Sequence, residues 1–363
     1  MVSSEVARSE CSEAALSVQE LIKKPLISVP KRYIQQHNHE PSFHDETICH
    51  AIPTISMKNL IHGEATELEL EKLNSACRDW GFFQLVEHGI SPLMLETLKD
   101  EIEGFFKLPL EEKMKYKIRP GDVEGYGTVI ISEDQKLDWG DRIFMKINPI
   151  SIRKPYLLPE FPSSLRSILE SYIVELQNVG MVLVGLMGKA LKIKEKELEV
   201  FEDGRQSMRM TYYPPCPQPE LVMGLTPHSD TTGITILNQV NGVNSLQIKK
   251  DGIWIPVNVT SHALIVNIGD IMEIMSNGAY KSVEHRVTAN SEKERISIAM
   301  FFSPKLESEI GPVVSLSNGE NPPLYKRIKM EKYFKEILSR KREGKSYLEL
   351  MKITNENITN ATI

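Results

Sequence analysis

Hydrophobic residues recur at helical spacing through most of the first half of the chain. A repeat of about 3.6 residues is typical of helices that bury one face against a core. Ser91 and Pro92 mark the start of one such helix, because serine caps free N–H groups and proline fits the first turn. The predicted helices are Val18–Lys24, Leu68–Trp80, a helix from Pro92 to about Phe106, and a long helix from about Pro162 to Leu191.

The pattern changes near Gln206 to short runs of β-branched and aromatic residues separated by turn residues. Regularly spaced strands without long intervening helices indicate a barrel or sandwich, and not alternating βαβ units. An earlier run, Trp80–Val86, is predicted to join the same sheet. The predicted strands of the second half are Met208–Tyr213, Gly233–Asn238, Ser245–Lys249, Ile253–Val257, Ala263–Ile268, Lys281–Thr288 and Arg295–Phe302.

Three further segments complete the pattern. Ala263–Met275 resembles two strand-like runs broken at Gly269 and Asp270, and Met330–Met351 is predicted to form a final helix. Arg119–Trp139 is rich in glycine and has no clear period, so we expect an irregular loop that borders a pocket. We divide the chain into a mostly helical region (1–205), a β-rich core (206–310) and a C-terminal helix with its tail (311–363). No spacer rich in proline, glycine or serine separates these regions, so we expect one structural unit.

Composition and charge restrict the partners of this protein. The chain is 41% hydrophobic, and its 43 basic and 49 acidic residues give a formal net charge of −6, without a basic block. Nucleic acid is therefore not an expected partner. No apolar run reaches the roughly 20 residues of a membrane span, and the first residues do not resemble a leader sequence. We expect a soluble, cytoplasmic monomer that binds a small molecule; its four scattered cysteines indicate neither a disulfide framework nor a zinc site.

His228 and Asp230 are the first residues that suggest chemistry. On a strand, residues two positions apart project to the same side and can bind one ion. His285 lies in a later strand-like run and is a candidate for a third ligand. Two imidazoles and one carboxylate that leave an open face are the donor set of non-haem iron(II) oxygenases. From these three residues alone, ordinary polar or capping roles remain an equally good interpretation.

Arg295 and Ser297 share one face at the start of an otherwise apolar strand. An arginine that points into a barrel is costly to bury unless an anion meets it. A carboxylate fits this requirement, because guanidinium and a hydroxyl can hold its two oxygens together. The alternative is a surface strand on which Arg295 is solvated or paired with Glu294.

Seven ordered motifs resemble those of the plant 2-oxoglutarate- and iron(II)-dependent dioxygenases. The resemblance is greatest to the branch that contains senescence-related oxygenases and alkaloid O-demethylases, and it covers roughly Ser17 to Met351. The motifs are Trp80-Gly-Phe-Phe-Gln-Leu-Val86, Gly121-Asp-Val-Glu-Gly125, Leu137-Asp-Trp139, Tyr212-Tyr-Pro-Pro-Cys-Pro217, His228-Ser-Asp230, Glu284-His-Arg286 and Glu294-Arg-Ile-Ser297.

The resemblance implies a mainly β fold, with a double-stranded β-helix (jelly-roll) core, an N-terminal helical layer, the long helix and a C-terminal helix. It implies that iron(II) is held by His228, Asp230 and His285. Arg295 and Ser297 would bind the distal carboxylate of 2-oxoglutarate, and Tyr213 would add a phenol hydrogen bond. Oxygen is the second cosubstrate, and ascorbate is the expected reductant.

Two positions depart from the family pattern. Thr211 stands where the family usually has asparagine, and its shorter side chain is expected to weaken contacts with the cosubstrate or to bridge them by water. Glu87-His88-Gly89 replaces the usual Asn-His-Gly. We expect His88 to be a structural hydrogen-bonding residue and not a metal ligand.

The implied reaction is hydroxylation or O-demethylation of a small plant specialised metabolite, an alkaloid, flavonoid or terpenoid, with release of succinate and CO2. The expected substrate wall comprises Gly121–Ile131, Trp139–Met145, Met300–Phe302 and the terminal helix. Three alternatives stay open. They are an ascorbate-dependent oxidase on the same scaffold, a non-oxidative metal-dependent condensing enzyme, and a non-catalytic small-molecule binder.

Overall fold

The computed structural model describes residues 17–35, 52–63, 66–130, 134–160, 162–338 and 344–353. The α-helices are α1 (Val18–Leu21), α2 (Met57–His62), α3 (Thr66–Ser75), α4 (Pro92–Lys107), α5 (Leu110–Met114), α6 (Leu165–Leu191), α7 (Asp270–Met275), α8 (Met330–Leu338) and α9 (Ser346–Met351). The strands are β1 (Thr54–Ser56), β2 (Phe82–Val86), β3 (Gly125–Tyr126), β4 (Asp141–Asn148), β5 (Arg205–Tyr213), β6 (Met223–His228), β7 (Ile234–Asn238), β8 (Leu246–Lys250), β9 (Ile253–Pro256), β10 (Leu264–Ile268), β11 (His285–Thr288), β12 (Arg295–Ser303), β13 (Glu309–Ile310) and β14 (Ile328–Lys329).

Two sheets form the core. The larger has eight strands in the order β1-β2-β10-β7-β12-β5-β4-β3, and the smaller has four in the order β6-β11-β8-β9. One apolar cluster joins the facing sides of the two sheets and includes Phe82, Leu225, Ile248 and Ile265. This arrangement is the predicted jelly roll, and it is confirmed as the core of a mainly β fold.

The other face of the large sheet is covered by helices. A second, larger cluster joins this face to α3, α4 and α6, with Leu98, Leu176 and Met210 among its buried members. Gly180 on α6 allows close approach, because an added Cβ would lie 2.4 Å from the ring of Phe302 on β12. The predicted helical layer is therefore confirmed. Strands β1 to β4 show that the first 205 residues also contribute half of the large sheet.

Helix α6, with 27 residues, is the longest helix that the structure describes. By length and composition alone it could cross a membrane, and half of its most apolar window is buried inside the protein. Its buried face is lined by Leu169, Tyr172, Leu176 and Leu183, which belong to the same cluster as the large sheet. These contacts are those of a core helix that packs on a sheet.

Several segments differ from the sequence predictions. The run after Gly269 was expected to be a strand but forms α7, all six of whose residues are buried; a short apolar run fits either element, and its period does not distinguish them. The final helix is interrupted between α8 and α9, where Gly344 has a left-handed φ of 51°. Helix α1 ends before Lys24, because the proline that follows disfavours helical backbone at that position. Strand β4 was not predicted.

Other predicted elements are found close to their expected bounds. The helix after Ser91 is α4, and the long helix is α6, which begins at Leu165. The helix of Leu68–Trp80 is α3 continued by a π-helical turn over Ala76–Trp80. Cys77 and Cys216 are free and buried. Cys11 and Cys49 lie outside the described residues, as do positions 131–133 of the glycine-rich loop.

The segment that contains α1 is attached to the core through Asp141, the first residue of β4. The Asp141 carboxylate accepts hydrogen bonds from the Ser17 hydroxyl (2.7 Å), from the amide groups of Val18 (2.8 Å) and Gln19 (3.2 Å), and from the Tyr126 hydroxyl (3.2 Å). Burial raises the pKa of this carboxyl, and the hydrogen bonds oppose the increase. Asp141 therefore fastens the N-terminal segment to the large sheet.

We expect Asp141→Ala to lower the free energy of unfolding by about 3 kcal/mol, because removal of one partner from a buried polar network leaves the others unsatisfied. Urea denaturation followed by circular dichroism measures this change. Asp100→Ala, at an exposed position on α4, is the control and should change stability by less than about 0.5 kcal/mol. Equal stabilities of the two variants would contradict the role assigned to Asp141.

Candidate metal and cosubstrate site

Three buried side chains converge where β6 and β11 meet. His228 is the last residue of β6 and His285 the first of β11, and the two are directly paired across the antiparallel ladder. Their ring centroids are 4.3 Å apart. Oδ1 of Asp230 lies 3.6 Å from Nε2 of His228 and 3.7 Å from Nε2 of His285. The structure thus brings together all three predicted ligands, with their ligand atoms within 4.8 Å of one another.

The backbone sets which ring nitrogens face this point. Nδ1 of His228 lies 2.8 Å from the carbonyl oxygen of Thr226, and Nδ1 of His285 lies 3.2 Å from that of Val283. A carbonyl only accepts hydrogen bonds, so each Nδ1 carries a proton, and in the neutral ring Nε2 keeps a free lone pair. Nε2 of His228 is buried and has no hydrogen-bond partner. A buried nitrogen left without a partner fits a metal ion as the missing neighbour.

The charges of the three groups also fit a divalent metal. Burial and the neighbouring His228 lower the pKa of His285 to about 4, so its ring is neutral near pH 7. Burial opposes ionisation of Asp230, but His285, His228 and the hydrogen bond from Thr235 hold the pKa of this carboxyl well below its ordinary value. Two neutral imidazoles and one carboxylate are the donors of a mononuclear non-haem iron(II) site.

Arg295 is buried on the larger sheet, with an exposed fraction of 2%. It is paired across the ladder with Tyr213 on β5, and its guanidinium carbon lies 5.1 Å from the centre of the Tyr213 ring. Burial lowers the pKa of the guanidinium, and Tyr213 opposes the change. Nη1 donates to the Ser297 hydroxyl at 3.3 Å. The three predicted cosubstrate residues are therefore adjacent.

No acidic side chain among the described residues makes an ion pair with Arg295. Glu294, the partner considered in the alternative interpretation, accepts a hydrogen bond from the Tyr212 hydroxyl instead. The surface-strand alternative for Arg295 is therefore wrong. A buried cation without a carboxylate partner is costly, and this cost is removed when an anion binds.

Gln239 was not identified from the sequence. Its Oε1 accepts hydrogen bonds from Nε (3.2 Å) and Nη2 (3.0 Å) of Arg295 and so orients the guanidinium plane. Gln239 follows the end of β7, which pairs with β12, so only the register of these strands places it beside Arg295.

Thr211, the departure from the family pattern, is buried and lies directly across the ladder from Ser297.

His88 lies apart from this site. Its Nε2 is 2.9 Å from the carbonyl oxygen of His262, and its Nδ1 accepts a hydrogen bond from the Ile90 amide at 3.2 Å. These contacts hold the loop between β2 and α4, as predicted for a structural residue. Glu87, the other departure in this motif, has a left-handed φ of 52° and accepts a hydrogen bond from the Ser56 hydroxyl at 2.6 Å.

A cluster of two histidines and one aspartate, together with a buried arginine that has no acidic partner among the described residues, fits an oxygenase that uses an acidic cosubstrate. Comparison with known families agrees: residues 204–304 match the model of the 2OG-Fe(II) oxygenase superfamily. Residues 52–162 match the N-terminal domain of the non-haem dioxygenases of morphine synthesis. The chain belongs to the plant 2-oxoglutarate- and iron(II)-dependent dioxygenase family.

Its relatives span nearly the whole chain. Protein SRG1 of Arabidopsis thaliana is 48% identical over 93% of this chain and 96% of its own length. Codeine O-demethylase of Papaver somniferum is 49% identical over the same shares. The oxoglutarate-dependent flavonoid 7-O-demethylase 1 of Ocimum basilicum is 46% identical over 93% of this chain and 91% of its own length.

The fold agrees with a solved relative. The crystal structure of JOX2 in complex with 2OG, Fe and JA superposes with a TM-score of 0.85 and 36% sequence identity, covering 93% of this chain and 98% of JOX2. The protein is therefore an oxidoreductase, a dioxygenase that uses iron(II), 2-oxoglutarate and oxygen. Ascorbate is the reductant typical of its family.

Proposed function

We propose that this enzyme hydroxylates or O-demethylates a small plant specialised metabolite and releases succinate and CO2. The observation that carries the proposal is Arg295, which is buried without an acidic partner among the described residues and is paired with Tyr213, a member of the apolar cluster between the two sheets. We assign iron(II) to His228, Asp230 and His285. We assign the distal carboxylate of 2-oxoglutarate to Arg295 and Ser297, with a hydrogen bond from Tyr213.

The side chains of the site would bind and orient the metal and the cosubstrate before the reaction begins. The two imidazoles present unprotonated nitrogens, and Asp230 supplies a negative charge that offsets part of the charge of the metal. Arg295, held in its plane by Gln239, fixes one end of the cosubstrate and thereby its orientation. When bound, iron(II) and 2-oxoglutarate would supply, with oxygen, the oxidising power to hydroxylate a C–H bond of the substrate, and 2-oxoglutarate would leave as succinate and CO2. A methoxy carbon that is hydroxylated in this way becomes a hemiacetal, which breaks down to formaldehyde and the free phenol or alcohol.

The substrate wall supports a flat, aromatic metabolite. Phe301 is half-buried on β12, on the strand face that also carries Arg295 and Ser297. The guanidinium of Arg209, on the neighbouring β5, lies 5.4 Å from the centre of the Phe301 ring. An aromatic ring backed by a cation suits an electron-rich ring system. The relatives named as O-demethylases include a flavonoid 7-O-demethylase, a codeine O-demethylase and a thebaine 6-O-demethylase.

We also propose that the protein acts as a cytoplasmic monomer, without nucleic acid or membrane as a partner, and that its three regions form one structural unit. The net charge of −6 and the absence of a basic block in the sequence support the proposal that nucleic acid is not a partner. Strands from regions 1–205 and 206–310 in the same sheet support the proposal of one structural unit.

The test is a mass-spectrometric screen of methoxylated alkaloids, flavonoids and terpenoids with iron(II), 2-oxoglutarate and ascorbate. A mass gain of about 16 Da identifies hydroxylation, and a loss of about 14 Da identifies O-demethylation. We expect one of these shifts for at least one compound, together with equimolar succinate. Product without succinate would contradict the proposal and indicate an ascorbate-dependent oxidase.

One relative favours a second candidate. S-norcoclaurine synthase 1 of Coptis japonica is 41% identical over 93% of this chain, and its name is that of a synthase, which favours the non-oxidative, metal-dependent condensing reaction as the second candidate. A non-oxidative reaction would leave oxygen unconsumed. Oxygen uptake measured with an electrode alongside the screen separates the two candidates, because we expect one oxygen molecule to be consumed for each product formed.

A further inference from the structure

The two oxygens of the Asp230 carboxylate have different surroundings. Oδ1 faces the two imidazoles at 3.6 and 3.7 Å. Oδ2 faces away and accepts two hydrogen bonds, from the Thr235 hydroxyl at 2.5 Å and from the Asn267 amide nitrogen at 2.8 Å. Both donors are buried, with exposed fractions of 4% and 3%. The carboxylate therefore presents one oxygen to its histidine neighbours and the other to a pair of donors.

The two donors are held rigidly by the large sheet. Thr235 lies on β7 and Asn267 on β10, and the two residues are paired directly across the antiparallel ladder. The histidines lie on the smaller sheet. The backbone of Asp230 is fixed as well, because its carbonyl oxygen accepts a hydrogen bond from the Asp270 amide at 2.7 Å. Asp230 thus connects the two sheets at the site.

Asn267 is a polar residue in an otherwise apolar, buried strand. Strand β10 is buried along its whole length, and its other residues are Leu264, Ile265, Val266 and Ile268. A buried amide without a hydrogen-bond partner costs about 1–3 kcal/mol. Of the polar side chains that the structure describes, Asp230 is the one that receives the amide hydrogen of Asn267. The amide is therefore stabilised by the carboxylate that it orients.

We propose that Thr235 and Asn267 are positioning residues that hold Asp230 as a one-oxygen ligand of the metal. The proposal rests on the assignment of Asp230 as a ligand. If the carboxylate turned to present both oxygens, it would break both hydrogen bonds and leave two buried donors unsatisfied. With one oxygen from Asp230, the three residues would supply three ligand atoms and leave the other positions of the metal to 2-oxoglutarate and oxygen, whereas a second carboxylate oxygen would compete for one of those positions.

The decisive comparison is Thr235→Val with Thr235→Ser, measured as the affinity for Mn(II). Valine keeps the volume of threonine and removes the hydroxyl, whereas serine keeps the hydroxyl. Free Mn(II), followed by electron paramagnetic resonance in a titration without 2-oxoglutarate, gives the dissociation constant. We expect about tenfold weaker binding for Thr235→Val, the lower end of the effect of a lost partner of a metal ligand. Thr235→Ser should bind within about threefold of the wild type.

Asn267→Leu is the second variant, with the same expected loss of about tenfold. Asn74→Leu is its matched control, because Asn74 is also a buried amide with a hydrogen-bond partner, the Tyr280 hydroxyl, but lies on α3. Thr288→Val, at the far end of β11, is the control for Thr235→Val. Both controls should bind Mn(II) as the wild type does. If Asn267→Leu does not fold, the two Thr235 variants decide the question.

The outcomes separate this proposal from the metal assignment. Wild-type protein that fails to bind Mn(II), or Asp230→Ala that binds as tightly as the wild type, would overturn the metal site itself. If the wild type binds Mn(II) and Thr235→Val binds it with the same affinity, only the positioning role is overturned. Equal losses in Thr235→Val and Thr235→Ser would overturn it too, because the hydroxyl would then not be the group responsible.

Discussion

Asp230→Ala should abolish turnover and leave the protein folded. The substitution removes the only carboxylate of the three-residue cluster that the structure describes, and two imidazoles alone bind a divalent metal weakly. We expect the affinity for Mn(II) to fall by more than about 100-fold, since the loss of a direct ligand exceeds the 10–100-fold effect of an outer partner. Succinate release should fall below detection.

Asp100→Ala is the matched control for this change, and its turnover should equal that of the wild type. Circular dichroism of metal-free protein tests whether Asp230→Ala keeps the fold. A folded Asp230→Ala protein that still releases succinate would contradict the assignment of the metal ligands.

Arg295→Leu should raise the KM for 2-oxoglutarate by roughly 100-fold or more, because it removes charge-assisted hydrogen bonds worth about 1.5–3 kcal/mol each. The affinity for Mn(II) should stay within about threefold of the wild type, since Arg295 contacts none of the three clustered residues. Succinate release as a function of 2-oxoglutarate concentration gives the KM. The KM of Arg295→Lys for 2-oxoglutarate should lie between those of the wild type and Arg295→Leu, because lysine keeps the charge but lacks the planar guanidinium group.

Arg205→Leu provides the matched control for Arg295→Leu. Arg205 is half-buried on β5, and its guanidinium lies 4.9 Å from the centre of the Phe334 ring, at the end of the strand opposite Tyr213. Its loss should leave the KM for 2-oxoglutarate unchanged. An unchanged KM in Arg295→Leu would show that another residue binds the cosubstrate carboxylate.

The sequence predicted the parts of the fold that depend on local pattern. Helix α4 begins at Pro92, as predicted, because proline fits the first turn of a helix, although the Ser91 side chain makes no capping hydrogen bond. Strand β4 was missed although Ile143, Met145 and Ile147 recur at every second position, which is the period of a strand. That signal was present and was not used. Helix α7 was mistaken for a strand, because a run of six residues is too short for its period to distinguish the two elements.

Local spacing also predicted some residues of the candidate site and not others. The proximity of His228 and Asp230 follows from their spacing, and that of Arg295 and Ser297 follows from a strand period of two. Gln239, Thr235 and Asn267 reach the site only through the pairing of β7 with β10 and β12. Strand pairing brings together residues that are distant in the sequence, and no local pattern specifies its register. The sequence therefore predicted the metal-ligand candidates and Arg295, but not the residues that orient them.

The most direct test of the central claim needs no substrate. Iron(II) and 2-oxoglutarate are added to the metal-free protein without oxygen, and visible absorption reports the charge-transfer band of a 2-oxo acid bound to iron. The wild type should show the band, Asp230→Ala should lack it, and Arg295→Leu should show it only at higher 2-oxoglutarate concentrations. No band in the wild type at saturating concentrations, or an equal band in Asp230→Ala, would contradict the assignment of this iron and 2-oxoglutarate site.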